Sequence, residues 1–556
     1  MTISQTQPLT APPAPPARRS LTGISLGYFM VLLDMTVLAV AEPDLATSLH
    51  ASTAGLQWTT TAYTVTFAAL LLAAGAATDR YGAPRLFRAG IVTFTAASLL
   101  STIAPALSAL ITLRTVMGAA AAVCVPASMA MIARLYPSPP ARAKAIATWA
   151  ATSGAAVAAG PIAGGALVGA AGWRAVFLIN VPIGLAVLAL TRTATTRTAI
   201  ARIATEVPIA LRTAPAAPPA AAPSVVSPAR PAAAAAALPS APPPTGPAEP
   251  PSAVPAEPPS AASLAAPPAG PVAAPSAAAS QRVRIDWPAH LAAAAVLAAA
   301  TDTLIAAGAH QWPHTVVAAL LTVTTAVVYA TFERRSPAPV LNRRLLREPA
   351  IRPALLAAAT VNFTLSGILF VLPLLLQRDH HLSALQTGLA FLPLTVPFAA
   401  NPPLTGRIVA RTGPYRPIVA GLTLLTVGAA GSAVALYCGA GYPWLAGALL
   451  VTGFGVSSAL PALATAVVTA ASPSTTGAAS GLLNAVRQTG ATAGVAVMGA
   501  ALSAGPAWSL LLAAAAPCTA LAVYALPARK RTRSHPTAPD ARSSAAEPVQ
   551  CAAPSA

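Results

Sequence analysis

The chain has 556 residues, of which 55% are hydrophobic and only 8% charged, with 33 Lys and Arg against 14 Asp and Glu for a net charge of +19. Soluble proteins carry about 25% charged residues, so this composition excludes a soluble globule of this size. The apolar residues gather instead in runs of roughly twenty, the length that crosses about 30 Å of hydrocarbon. Cys124, Cys438, Cys518 and Cys551 lie far apart and match no metal or disulfide spacing.

The first apolar run, from about Leu21, is too long for a cleavable signal peptide, and further spans follow it. Apolar runs between breaks predict spans at roughly 21–42, 56–77, 86–104, 107–131, 145–170, 174–191, 287–308, 313–332, 351–376, 385–405, 417–437, 444–468, 479–502 and 506–526. With the N-terminus inside and the spans alternating, Arg18, Arg19, Arg80, Arg85, Arg88, Arg134, Arg142, Lys144, Arg282, Arg284, Arg334, Arg335, Arg343, Arg344 and Arg347 fall on the cytoplasmic side. Arg407, Arg411, Arg416, Arg529, Lys530, Arg531 and Arg533 fall there too, and the outer loops keep little more than Arg174 and Arg378. A wrong span count would scramble this parity. The pattern supports an even number of spans with both termini cytoplasmic, and it makes nucleic-acid binding unnecessary as a reading of the positive charge.

In chain order, a tail over 1–20 precedes six spans over 21–192. The first span places Asp34 mid-bilayer and Glu42 at its outer end, just before Pro43. An intramembrane carboxylate is costly, and desolvation favours the neutral form of such a group, so both are proton-carrier candidates; a structural hydrogen bond, or for Glu42 plain hydration, is the alternative. The next cytoplasmic loop runs from Gly75 through Asp79, Arg80 and Gly82 to Arg85, and the loop after the tenth span repeats its spacing with Gly406, Arg411, Gly413 and Arg416. The repeat implies two related halves, a transporter design with the substrate site near the midplane between them. Glycines there permit a tight turn, and Asp79 can pair across an interface, so the loop reads as a conformational latch.

Arg114 in the fourth span needs an acidic or carbonyl partner; it could sense protonation of Asp34, stabilise a bound anion, or serve as glue between helices. The fifth span carries Gly154, Gly160, Pro161, Gly164 and Gly165, suited to close helix approach and a bend, hence a hinge. Residues 193–281, dominated by Ala and Pro, read as a disordered cytoplasmic linker. Two additional spans follow over 282–335, the first holding Asp302, another intramembrane acid and a pathway candidate although outside the repeated halves, and six more over 336–527 contain Asn362, Asn401, Asn484, Arg487 and Gln488 as possible pathway residues or interhelical ties. Asp379, His380 and His381 sit in an outer loop, and a basic then disordered tail occupies 528–556.

Together these residues resemble the major facilitator superfamily, specifically its fourteen-span drug:proton antiporter family. The loop from Gly75 to Arg85 looks like the signature loop, departing at Ala83 and Pro84. Leu33-Asp34-Met35-Thr36 through Pro43 looks like the first-span motif, departing at Ala39 and Glu42. Arg114 and Gly118 match the fourth-span motif with Met117 as a departure, and Gly160-Pro161 with Gly164-Gly165 resembles the antiporter hinge, with Ala156 in place of a usual glycine. Trp173-Arg174, Phe177, Asn180, Pro182, Gly184, Asp286-Trp287 and Asn484 with Arg487-Gln488 fit the same family.

The resemblance implies an all-α polytopic membrane protein of two six-helix bundles with two extra central helices. It implies a monomer in the cytoplasmic membrane that exports small hydrophobic drugs or antibiotics against an inward proton flow. The proton gradient would be its energy source, with no cofactor, no metal and no nucleic-acid partner. An uptake permease and a transporter-like membrane sensor are the alternatives, the first disfavoured by the hinge and the second by intact Asp34, Arg114 and hinge. No nucleotide loop, metal cluster or nucleophile–base pair suggests an enzyme.

Overall fold

The computed structural model describes residues 15–192, 286–336, 343–471 and 475–533. The expected linker over 193–281 lies outside the described residues, as do 1–14 of the N-terminal tail and 534–556 of the C-terminal one. Among the described residues every regular element is helical.

The helices are α1 (Pro15–Ser48), α2 (Thr53–Tyr81), α3 (Ala83–Ser101), α4 (Leu107–Leu135), α5 (Pro139–Ala171) and α6 (Arg174–Arg192). A hairpin of α7 (Trp287–Gly308) and α8 (Trp312–Arg335) follows. Then come α9 (Ile351–Arg378), a broken α10 (Ala384–Ala390, Leu392–Ala400 and Pro402–Thr412), α11 (Tyr415–Tyr437), α12 (Tyr442–Ala470), α13 (Thr476–Ala501) and α14 (Pro506–Arg533). Eleven of them are long and apolar enough to cross a membrane. The remaining three predicted spans are helical as well, each with a visible departure. α3 has only 19 residues and carries Arg85 and Arg88, α10 is interrupted at Phe391 and Asn401, beside Pro393 and Pro402–Pro403, and α13 carries Asn484, Arg487 and Gln488. Proline lacks the N–H that a helix interior uses but suits a first turn, so α10 restarts at its prolines.

Two boundaries move. Helix α1 starts at Pro15, inside the segment expected as tail, because Pro15 and Pro16 occupy a first turn where their missing N–H groups cost nothing. Helix α14 runs to Arg533, past the expected end at 527, since extending an existing helix costs far less than nucleating one.

In the N-terminal half α1 packs on α5 and α2 and α3 pack on α4. In the C-terminal half α9 packs on α13 and α14, and α11 on α12 and α14. Lipid gives apolar helices no hydrophobic reason to associate, so small residues supply close van der Waals contact. At Gly118 a Cβ would collide with the backbone of Tyr63, so α4 lies directly on the α2 main chain there. The α7–α8 hairpin rests on α2 and α13, and α8 buries only Ala318 and Glu333, presenting Val316, Val317, Leu320, Val323 and Val327 outward. An apolar face of that kind is what lipid covers.

The repeated loops also match in shape. Gly82 and Gly413 both close a helix at positive φ, +92° and +76°, a region that side chains resist, and each N–H bonds the carbonyl four residues back, Thr78 at 3.0 Å and Val409 at 2.9 Å.

Candidate functional site

Asp34 and Arg114 meet inside the N-terminal half. Both side chains are 1% exposed, and Arg114 Nη1 donates to Asp34 Oδ2 in a buried ion pair. Five helices complete the cluster. Arg114 Nε donates to the Thr59 carbonyl at 3.1 Å, and the guanidinium lies 4.5 Å from the centroid of the Tyr63 ring, both on α2. The Tyr63 hydroxyl donates to the Val31 carbonyl of α1 at 3.3 Å. From α6, Asn180 Nδ2 donates to Asp34 Oδ1 at 2.9 Å and to Ser98 Oγ of α3 at 3.0 Å, and Ser98 Oγ bonds the Phe177 carbonyl at 2.8 Å. A charge pair removed from water persists only with good geometry and further hydrogen bonds, and these partners supply them. Asn180→Ala withdraws a donor from each of two buried oxygens; the expected outcome is a loss of about 1–3 kcal/mol, read as a lower unfolding temperature of the detergent-purified protein.

The neighbouring stretch of α2 faces the other half. Gln57 Nε2 donates to the carbonyls of Val495 (3.0 Å) and Ala496 (2.9 Å) in α13, and the Thr64 and Thr492 hydroxyls bond at 2.7 Å. Thr60, between them, donates to Glu42 Oε1 at 2.8 Å. Glu42 is 1% exposed, and its Oε2 has no partner. Gln377 of α9 bonds the Val40 carbonyl of α1 at 3.0 Å. Residues 57–64 of α2 therefore hold α13 while also meeting Arg114 and Glu42.

The hinge glycines pack in two directions. A Cβ at Gly160 would strike Thr36, and one at Gly164 would stand 2.7 Å from the Val37 carbonyl oxygen, so this face of α5 lies on α1 just past Asp34. A Cβ at Gly165 would meet the Ala384 backbone, one at Gly388 the Pro161 carbonyl, and one at Gly154 the Phe398 carbonyl, all joining α5 to α10 of the other half. The third segment of α10, Pro402–Thr412, packs on α11 and α12 of its own half. The latch residues lie at that end: nothing approaches the Cβ positions of Gly75, Gly82, Gly406 and Gly413, while Asp79, Arg80, Arg85 and Arg411 are exposed. Among the described residues Asp79 has no ion-pair partner. The joint between α5 and α10 thus sits toward the end of the bundle away from the termini, and the repeated loops stand free at the other end.

The family model described as Major Facilitator Superfamily matches residues 24–495, and again 354–553. The chain belongs to the Major Facilitator Superfamily. It is 28% identical to the methylenomycin A resistance protein of Streptomyces coelicolor over 89% of this chain and 87% of that protein. It is 27% identical to the multidrug resistance protein Stp of Mycobacterium tuberculosis over 87% and 76%. Among solved structures it resembles a POT family transporter in complex with 5-aminolevulinic acid, with a TM-score of 0.58 at 12% identity over 92% of this chain and 96% of that one, a likeness of fold.

Within this superfamily fold the other candidates separate. Asp302 Oδ2 pairs with His314 Nε2 at 2.8 Å inside the α7–α8 hairpin, outside both halves. Asn362 donates to the Ala358 carbonyl of its own helix at 3.0 Å, and Asn401 ties α10 to α12 through Ser457 (2.9 Å) and Ser458 (2.8 Å). Asn484 Nδ2 bonds the Ser480 carbonyl at 3.0 Å and its Oδ1 accepts from Arg487 Nη1 at 3.2 Å. Arg487 Nε and Gln488 Oε1 are buried without a partner. Sequence reasoning passed over Thr59, Thr60, Gln57 and the role of Asn180. Asn180 carried a signal, as an amide within an apolar run, but nothing in the sequence pointed it at Asp34.

Proposed function

We propose that the chain is a proton-driven antiporter that exports small hydrophobic compounds, drugs or antibiotics among them, across the cytoplasmic membrane with both termini in the cytoplasm. The names of its relatives, resistance and multidrug resistance proteins, support export of such compounds. The observation that carries the coupling is the double engagement of α2: residues 57–64 hold α13 on one side and meet Arg114 and Glu42 on the other. Protonating Asp34 discharges the carboxylate that fixes Arg114, frees the bond to Thr59, and so reaches the segment that joins the halves. Glu42 is the second acceptor, since Oε2 has no partner whereas both Asp34 oxygens are engaged. With the α5–α10 joint closed on the outer side and the latch loops apart, the arrangement reads as the state that loads from the cytoplasm.

The test is transport of fluorescent hydrophobic compounds, cationic and anionic, in inverted vesicles with and without an imposed pH gradient. Gradient-dependent movement is expected for wild type, abolished by Asp34→Asn and reduced by Glu42→Gln. Gradient-dependent transport that survives both substitutions together would sink the coupling.

A further inference from the structure

Arg487 stands eleven residues past Thr476 in α13, and Trp149 stands ten residues past Pro139 in α5. Counted from the expected span starts at 145 and 479, at 1.5 Å per residue, Trp149 and Arg487 lie about 6 and about 12 Å in from the end that bears the termini. Trp149 stacks on Tyr28 of α1, ring centroids 4.0 Å apart with 7° between planes. Tyr28 lies within electrostatic reach of Arg487 of the other half. The guanidinium has one hydrogen bond, to Asn484 of its own helix, and its Nε is buried with no partner. The Trp149 Nε1 is likewise buried and unpartnered. No acid among the described residues pairs with Arg487; Asp34 is held by Arg114 and Asn180, Asp302 by His314, and Glu42 sits toward the outer end of α1 with Thr60.

We propose that Arg487, Trp149 and Tyr28 form a substrate subsite for a flat apolar molecule bearing a carboxylate or sulfonate. The anion sits on Arg487 and the body lies against the indole–phenol stack. The proposal rests on the reading of the chain as an exporter and names the chemical class of its cargo. Arginine cannot shed its proton, so a guanidinium whose Nε is buried without a partner gains from an anion brought to it. Its planar fork matches the two oxygens of a carboxylate or sulfonate. The two unpartnered groups are both N–H donors, which an acceptor-rich ligand satisfies and a cation does not. An aromatic stack beside them supplies the apolar surface that binding sites use for the bulk of a ligand.

The test is equilibrium binding to the full-length protein in detergent, by fluorescence anisotropy, of 1-pyrenesulfonate and its neutral sulfonamide. Wild type is expected to bind the sulfonate roughly tenfold to a hundredfold more tightly, the range for a charge-assisted hydrogen bond in a site shielded from water. Arg487→Gln is expected to erase that preference by weakening the sulfonate alone. Arg487→Lys keeps part of it, because lysine retains the charge without the fork. Trp149→Ala weakens both probes. Equal affinities in wild type, no binding of either probe, or equal weakening of both by Arg487→Gln with an unchanged unfolding temperature would overturn the subsite. The wild-type comparison stands even if the glutamine variant does not fold. Movement in inverted vesicles separates this proposal from the antiport reading. Sulfonate that binds while neither it nor a lipophilic cation moves with the pH gradient leaves the subsite and removes the antiport. A lipophilic cation that moves while the sulfonate neither binds nor moves does the reverse.

Discussion

Arg114→Ala is expected to destabilise the protein by about 3–5 kcal/mol and to abolish transport, because it leaves the Asp34 carboxylate buried at 1% exposure with no counter-charge. Asn180 still donates to one oxygen, but a neutral amide does not replace a guanidinium. The double variant Asp34→Ala, Arg114→Ala is expected to be more stable than the single one, because neither charge then remains to be desolvated. It is still expected to be inactive. Unfolding temperatures of the two variants in detergent, alongside vesicle transport, make the comparison. A double variant less stable than Arg114→Ala would mean that the arginine acts through its contacts with Tyr63 and Thr59 and not through the charge. The measurement thus separates glue between helices from electrostatic pairing with Asp34.

The second large effect is expected where α5 meets α10. Gly165→Leu places a side chain against the Ala384 backbone, so it disfavours the state in which the halves touch there. Overpacking of this kind costs about 1–3 kcal/mol, and a bias of that size moves a two-state equilibrium about 5- to 150-fold. Spin labels at Thr47 and Asp379, exposed at the outer ends of α1 and α9, are expected to move apart relative to wild type. Gly160→Ala is the contrast. Its Cβ meets Thr36 within the same half, so the expected result is a lower unfolding temperature with an unchanged label distance, relieved only in part by Thr36→Ala, which keeps the Thr36 Cβ at 2.6 Å. If the two glycine variants gave the same pattern, the hinge motif would be a uniform packing face and not a joint with one side in each half.

Particular residues show how far the sequence could be read. Asp34 and Arg114 stood out because a charge in an apolar run is costly wherever it occurs, and a cost of that size demands a partner. The choice between partners was out of reach, since Asp34 and Asn180 are 146 residues apart and Gln57 and Val495 are 438 apart. Asp302 drew notice by the same rule as Asp34, yet its partner is His314 in the adjoining helix, away from the two halves. The latch loops were legible as a repeat, and Gly82 and Gly413 each close a helix at positive φ, but their separation from the joint at Gly165 and Ala384 depends on the conformation the chain adopts.

Hydropathy and charge act run by run, so about twenty residues decide whether a segment crosses the membrane, and the arginine distribution decides an orientation to expect. Helical class, approximate span positions and the two-half design were therefore available from the chain itself. Three-dimensional packing decided the rest: that α2 links the buried pair to the other half, that Glu42 keeps one oxygen free, and that Arg487 keeps a buried N–H without an acid. These depend on how each helix is rotated about its axis and which half it leans on. In a bilayer that rotation is set by close contact at glycines and by satisfying the few buried polar groups, because lipid exerts no hydrophobic preference among apolar faces.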